Sequence, residues 1–310
     1  MTLRVAVVGD TTWDVTVRAT TRPVPGTDGP ARITAGPGGQ GANLGVRLAR
    51  RGATVRLVTG IGTDATGILL ATALAQEGVE VIDLGAPASG QVLALVDESG
   101  ERAMLSDRAR LDLTGDGMAR ADAALADADW IHLSGYPLAD PASAAELATL
   151  AGERGAAQRC SVGGGSFAQG SLIGPTVRAA RPDVVLFDRA EAAAVLDTGA
   201  GTAEVPSADL LATSLAGSLE VVAVVTDGPA GAAAATINGS IRVNAPAARL
   251  VDATGAGDAH AAVVILGLAG APWPPSLEEL RAVLADAGTA GAAVAGLVGA
   301  QARIPAEGDA

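Results

Sequence analysis

Lysine is absent from this chain: all 21 basic residues are arginine. That excludes enzymes whose chemistry rests on a lysine amine, among them P-loop NTPases, eukaryotic-type protein kinases, pyridoxal-phosphate enzymes and Schiff-base aldolases. Any phosphate handled here must be met by backbone N–H groups, arginine or a metal ion. Cysteine is nearly absent. The single Cys160 rules out an internal disulfide and a cysteine-cluster metal site, and reads as a small buried hydrophobe. Aromatic residues make up only 2% of the chain, so the core has to be built from Ala, Val and Leu. Positive charge is scarce as well. With 34 acidic residues the net charge is −13, which argues against nucleic acid or an anionic membrane as partner. Long apolar runs are also missing. The longest, Ala259 to Pro272, is too short to span a bilayer, and no charged-then-apolar leader opens the sequence, so a cytoplasmic protein is expected.

What is present is length, glycine and a regular alternation. At 310 residues, 49% of them hydrophobic, the chain can bury a large core, and 41 glycines imply many tight turns. Short β-branched runs at Arg4 to Val8 and Thr54 to Val58 read as buried strands. Asp14 to Ile33 reads as exposed strands and turns. Helices are expected from about Ala42 to Arg51 and from the Gly60 to Gly67 loop to about Glu77. Val81 to Leu84, Val92 to Val96 and the run from Arg102 to Leu105 follow as strands. From Leu125 onward strands at Trp130 to Leu133, Arg159 to Val162, Val184 to Phe187 and Val221 to Thr226 alternate with Ala-rich helices. Ala282 to Val298 closes the pattern as a helix. Alternating β and α predicts an α/β fold with a parallel sheet covered on both faces and its ligand at the strand C-termini. Gly36-Pro37-Gly38-Gly39-Gln40-Gly41 formally satisfies the dinucleotide fingerprint. The next strand, however, ends Val58-Thr59-Gly60 without the acid that would hold a ribose, so that reading is set aside. No linker, repeat or charge block divides the chain, and one main domain over residues 1–310 is expected.

The stretch from Val251 to His260 carries the most chemistry. A Gly255-Ala256-Gly257 turn opening a helix leaves several N–H groups without internal partners at the positive end of the helix dipole. Asp258 in the first helical turn then sets a carboxylate beside an anion site. For a lone motif the plain reading is a capping Asp on a Gly-rich turn. The arrangement also suits a base facing a hydroxyl that attacks a phosphate.

Four separated segments resemble the ribokinase-like (PfkB) family of carbohydrate kinases. They are Gly38-Gly39 with Asn43, the Gly60 to Gly67 loop, Asp188-Arg189-Ala190-Glu191, and Asp252 to Asp258; Gly299-Ala300-Gln301 looks like the family's last loop. The resemblance spans nearly the whole chain. It implies a three-layer α/β/α fold with a mostly parallel central sheet and a small β-sheet lid from about residues 11–35 and 91–110. It also implies ATP and Mg²⁺ as nucleotide and metal, with a sugar or sugar-like molecule as acceptor. By resemblance Asp258 is the general base, and the N–H groups of Gly255, Ala256 and Gly257 form the anion hole. Asp14, Gly38, Gly39 and Asn43 hold the sugar, and Arg108 and Tyr136 are further candidates for substrate binding. Thr226, Gly228, Gly231 and Gly288 lie in the nucleotide region. Asp188 and Glu191 hold Mg²⁺ through water, and Asp252 and Thr254 match positions that bind a monovalent cation such as K⁺ in several relatives. The chemistry is coherent: phosphoryl transfer has a loose transition state, so a weak base suffices and positioned N–H donors do most of the work.

Departures from the family pattern fall on the nucleotide side. Asp188 replaces an Asn, Arg189 a second acid, Gly163 an Asp and Gly288 an Asn; Thr12 and Gln40 differ near the sugar. Arg189 offers a charge to offset Asp188. Arg102, Arg108 and Arg110 form a solvated face or pair with an acidic acceptor such as 2-keto-3-deoxygluconate. Trp13 and Tyr136 either pack or stack on a purine. His132 and His260 have no partners at metal spacing and read as structural. The expected activity is therefore phosphorylation of a sugar hydroxyl by a ribokinase, fructokinase or 2-keto-3-deoxygluconate kinase type of enzyme. A nucleoside kinase and a catalytically silent sugar-binding protein are the alternatives. A lid sheet with open edges also predicts a homodimer paired through it.

Overall fold

The computed structural model describes residues 2–19, 25–96, 102–165, 173–197 and 205–304. Its main sheet begins with β1 (Arg4–Val8), whose side chains divide between two cores: Val5 and Val7 enter one cluster, Ala6 and Val8 the other. The same division holds along β8 (Trp130–Leu133), β10 (Val184–Asp188) and β11 (Val222–Thr226). Strands buried on both faces need apolar residues at every position, which is why these segments read as unbroken runs. With β4 (Thr54–Thr59), β5 (Val79–Asp83), β9 (Arg159–Gly163), β12 (Ala232–Thr236) and β13 (Gly239–Val243) they form a nine-stranded sheet. Its order is β13-β12-β11-β10-β9-β8-β1-β4-β5.

Pairing is parallel from β11 to β5, but β12 and β13 add an antiparallel hairpin at one edge. The sequence reading did not anticipate β12. Its four alanines are poor strand formers, and complete burial of the strand under neighbouring helices overrides that preference.

One face is covered by α1 (Gln40–Arg50), α2 (Ala65–Gln76), α9 (Ala256–Ala269) and α10 (Leu277–Ala295). The other carries α3 (Gly115–Ala126), α4 (Gly135–Ala139), α5 (Pro141–Gly152), α6 (Ile173–Ala180), α7 (Arg189–Val195) and α8 (Ala208–Leu219). This is the three-layer arrangement expected. α10 starts earlier than expected because Ser276 and Glu279 form a capping box at its head. Among the described residues no helix is long and apolar enough to cross a membrane.

A second sheet, of order β3-β2-β6-β7, is built from β2 (Thr12–Ala19), β3 (Ala31–Gly38), β6 (Gly90–Val96) and β7 (Arg102–Asp107). Its central pair, β2 and β6, is parallel. Cross-strand register puts Asp14, Gly36, Val92 and Ser106 on one face and Val15, Ala35, Leu93 and Leu105 on the other. The chain leaves the main sheet at the end of β1, builds β2 and β3 of this lid, re-enters through α1, and returns to the lid for β6 and β7 after β5. In the main sheet the strand order reverses between β1 and β8, where α/β sheets open a ligand crevice.

Candidate active site

Asp258 stands in the first turn of α9, on a helix whose N-cap, Gly255, has φ 79°. A side chain at Gly255 would be strained by that angle, and its Cβ would also lie 2.6 Å from the Ala300 carbonyl oxygen. The turn is therefore pressed onto the last loop. Ala256 N–H donates to the Ala253 carbonyl at 3.2 Å. Among the described residues no carbonyl accepts from the N–H groups of Gly255, Gly257 or Asp258.

The Asp258 carboxylate accepts a hydrogen bond from Asn43 Nδ2 at 3.0 Å, and Gln301 Nε2 donates to Asn43 Oδ1 at 3.1 Å. This chain fixes the amide of Asn43 with its donor toward Asp258. Burial pushes the Asp258 pKa up to about 7. Asp10 and Asp14 push the same way; the Asn43 bond and Arg47 oppose. A half-buried carboxyl with that pKa is a better proton acceptor than an ordinary aspartate and still half-ionised at neutral pH.

Asp258 and Gly257 open onto a pocket of about 150 Å³ over the ends of β9, β10 and β11, lined also by Asp188, Glu191 and Thr226. Asp188 ends β10 and caps α7: its carboxylate accepts from Glu191 N–H at 2.8 Å, while Glu191 accepts from Asp188 N–H at 2.8 Å. Burial, with Asp188 beside it, raises the Glu191 pKa to about 8.

A second group lies at the foot of the lid. Asp14, on the inner strand β2, accepts from Thr12 Oγ1 at 2.6 Å, and its carboxylate rests directly on the Cα of Gly38, where any side chain would displace it. Burial raises the Asp14 pKa, while Thr12 and Arg108 hold it down. Gly39 caps α1, so Gly38, Gly39 and Asn43 follow one another from β3 into that helix. Arg108, just beyond β7, is ion-paired with the buried Asp10, and its guanidinium stacks 3.5 Å from the Tyr136 ring centroid. The two groups meet electrostatically, since Asp10 and Asp14 both act on Asp258.

The loop from Asp252 anchors this centre. Asp252 accepts from Thr254 N–H at 3.0 Å, Thr254 Oγ1 at 2.6 Å and Gly299 N–H at 3.1 Å, tying the head of α9 to the last loop. Thr226 closes β11, and Gly228 and Gly231 bracket the short turn after it. Gly288 sits within α10, an ordinary contact from Pro246. Gly228, Gly231 and Gly288 do not line the pocket that holds Asp258.

A carboxylate of raised pKa, helix-opening N–H groups taken by no carbonyl among the described residues, and two further carboxylates surround one cleft, an arrangement that suits chemistry at a phosphate. Residues 2–307 match the family described as pfkB family carbohydrate kinase. The chain belongs to that family. It is 28% identical over 331 residues to a fructokinase of Salmonella typhimurium, covering 100% of this chain and 98% of that one. It is 29% identical over 308 residues to an ATP-dependent ribose-1-phosphate kinase of Halopiger xanaduensis, covering 96% and 94%. The solved ribokinase of Thermotoga maritima superposes with a TM-score of 0.76 at 23% identity, covering 98% and 96%. This pfkB-family protein is accordingly a sugar kinase.

Several expectations about arginines change in this pfkB-family chain. Arg189 does not offset Asp188: it pairs with Asp227 at 3.0 Å and donates to the carbonyls of Pro206 and Val205. Arg108 is no solvated face, while Arg110 is, with its side chain 77% exposed. The Arg102 side chain lies outside what the structure describes. Tyr136 is occupied by Arg108 rather than open for stacking. His132 and His260 are buried and held neutral, burial lowering their pKa values to about 3 and about 4. The sequence reading missed Asp10 and Arg47, and marked Gln301 only as part of the last loop, without its bond to Asn43. Arg47 had a signal: it falls four residues after Asn43, on the helix face that also carries Leu44 and Leu48.

Proposed function

We propose that this sugar kinase transfers the γ-phosphoryl group of ATP to a hydroxyl of a neutral sugar, with Asp258 as general base. The observation that carries the reading is the Asp258 carboxyl of raised pKa, oriented by Asn43, next to the N–H group of Gly257 and within one helical turn of that of Gly255. The sugar hydroxyl gives its proton to Asp258 as its oxygen attacks phosphorus. Charge growing on the transferring oxygens meets the open N–H groups, each such donor contributing roughly a hundredfold to a thousandfold. Ala256 N–H joins them if its 3.2 Å turn bond gives way. Asp14, Gly38, Gly39 and Asn43 form the sugar side. The Asp14 carboxylate, free to accept from two neighbouring hydroxyls, sets orientation. Thr226, Gly228, Gly231 and Gly288 form the nucleotide side.

Asp188 and Glu191 suit Mg²⁺ in the way that ion is usually held, by one or two carboxylates with water and phosphate oxygens completing its shell. Among the described residues no three His, Cys, Asp or Glu are grouped to hold a metal alone, so the nucleotide has to bring part of the shell. Bound Mg²⁺ would neutralise the triphosphate. Asp252 already takes three N–H and O–H donors, which makes it an anchor for the head of α9 rather than an open ligand for K⁺.

Of the curated relatives, one is named for fructose, a neutral sugar, and one for ribose 1-phosphate, an anionic one. Arg108 is neutralised by Asp10, which removes the cation that an acidic acceptor would need and favours a fructokinase or ribokinase type over a 2-keto-3-deoxygluconate kinase type. A panel of sugars, sugar acids and nucleosides with ATP, read by ADP release, tests this. Turnover confined to acids or nucleosides would reverse the choice, and tight sugar binding without ADP release would identify a silent binding protein.

The lid's outer face supports a homodimer. Ile33, Leu95 and Leu105 are 63%, 40% and 62% exposed on the face opposite Asp14, an apolar patch that pairing through the lid would cover.

A further inference from the structure

Arg47 is buried, 4% exposed, on the face of α1 that meets the last loop. Its guanidinium donates to the Ala300 carbonyl at 2.6 Å and the Ala302 carbonyl at 3.0 Å, and its Nε has no partner. No carboxylate among the described residues lies within ion-pair distance of it. Neighbouring Arg50, by contrast, is clamped to Glu77 at 2.8 Å. Burying a cation without a counter-ion is costly, and two carbonyls could be held by a neutral amide without that cost. The charge itself therefore needs an explanation.

Its position supplies one. Ala300 stands between the guanidinium and the α9 turn: its carbonyl takes the Arg47 bond, and its atoms come within 2.6–2.9 Å of where a Cβ on Gly255 would be. Arg47 and Asp258 also act on each other, each stabilising the other's charged form. The remaining cation near this centre, Arg108, is cancelled by Asp10. With lysine absent from the chain, Arg47 is the only arginine buried among the described residues.

We propose that Arg47 is a positioning residue whose uncompensated guanidinium, set behind Ala300 and the Gly255 turn, supplies the positive field felt by Asp258 and by the phosphoryl group at the helix end. Resting on the kinase reading above, it assigns that field to charge rather than to the loop contacts alone.

Arg47→Lys keeps the charge and loses the two-carbonyl fork; Arg47→Met keeps the length and loses the charge. Arg47→Met should lower kcat about tenfold to a hundredfold, less than the roughly hundredfold to thousandfold lost with a donor that touches the transition state. Arg47→Lys should stay within about fivefold of the parent. Should Arg47→Met fail to fold, Arg47→Gln keeps a donor for Ala300 without the charge and should match the loss. A second measurement needs no turnover. The Asp258 carboxyl, titrated by carbon NMR with Asp10, Asp14, Glu191 and Asn43 unchanged around it, should move up by about one pKa unit in the neutral variants and hold in Arg47→Lys. Equal kcat losses in Arg47→Lys and the neutral variants at equal unfolding temperature would overturn the proposal, as would an unmoved Asp258. A parent protein that phosphorylates no sugar would instead overturn the kinase reading and leave the titration to decide this one.

Discussion

Replacing Asp258 with Asn should make the protein slower and more stable at once. The raised pKa sets the size of the second effect. Folding carries the carboxyl from an ordinary value of 3.8 to about 7. The folded chain then holds a proton that the unfolded chain has released, so stability falls as pH rises from about 4 to about 7 and is level beyond. Roughly three units at about 1.4 kcal/mol each set a ceiling near 4 kcal/mol, and solvent reaching the half-buried group trims this to on the order of 2–4 kcal/mol. Asp258→Asn removes that penalty and still offers Asn43 an acceptor. Its unfolding temperature should exceed the parent's by several degrees at pH 8 and match it near pH 4. Turnover should fall by roughly a hundredfold to ten-thousandfold, the contribution of a placed base, and the acid limb that the parent's kcat/KM shows near pH 7 should be absent from the variant. Calorimetric scans across pH, with ADP release on the same samples, give both numbers. Turnover within tenfold of the parent, or stability profiles that run parallel across pH, would refute the reasoning.

Three other substitutions test neighbouring parts. Arg108→Ala strands the buried Asp10 carboxylate, and losing one partner of a buried pair should cost about 3–5 kcal/mol in urea unfolding. Gly255→Ala forces a side chain into the left-handed region and against Ala300; it should lose about 1–3 kcal/mol or more of stability and lower kcat further than KM. Ile33→Glu with Leu105→Glu on the outer lid face should leave the fold intact and yield monomers by light scattering, whereas an unchanged mass would remove the lid-paired dimer.

Local patterns were legible and distant pairings were not. The strand read at Val184 to Phe187 and the helix that Gly255-Ala256-Gly257 opens follow from runs and turns within ten residues. β12 did not follow, because its alanines carry no strand preference and burial alone decides them. Arg189 looked available to Asp188 because the two adjoin in sequence. Its partner is Asp227, delivered by the next strand. Arg108 looked like part of a surface cluster until the lid brought it onto Asp10. Arg47 depends on residues 300–302, contacts that no local pattern encodes. In the candidate site the residues of the Gly-rich turns could be singled out from spacing; the charges that set the Asp258 pKa could not.

The small sheet is not a module inserted at one point. Its inner strands β2 and β6 pair side by side, Thr12 with Gly90, although β4, β5 and two helices of the main body are made between them. Bringing such distant ends together costs entropy that grows with the logarithm of the intervening length, and the return comes only once the body holds them in place. The chain therefore cannot shed its lid by truncation, nor fold it early during synthesis. The four lid strands are all made by Asp107, ahead of β8 and the five strands that follow it, so the cover over Asp14 waits on a main sheet still to be completed.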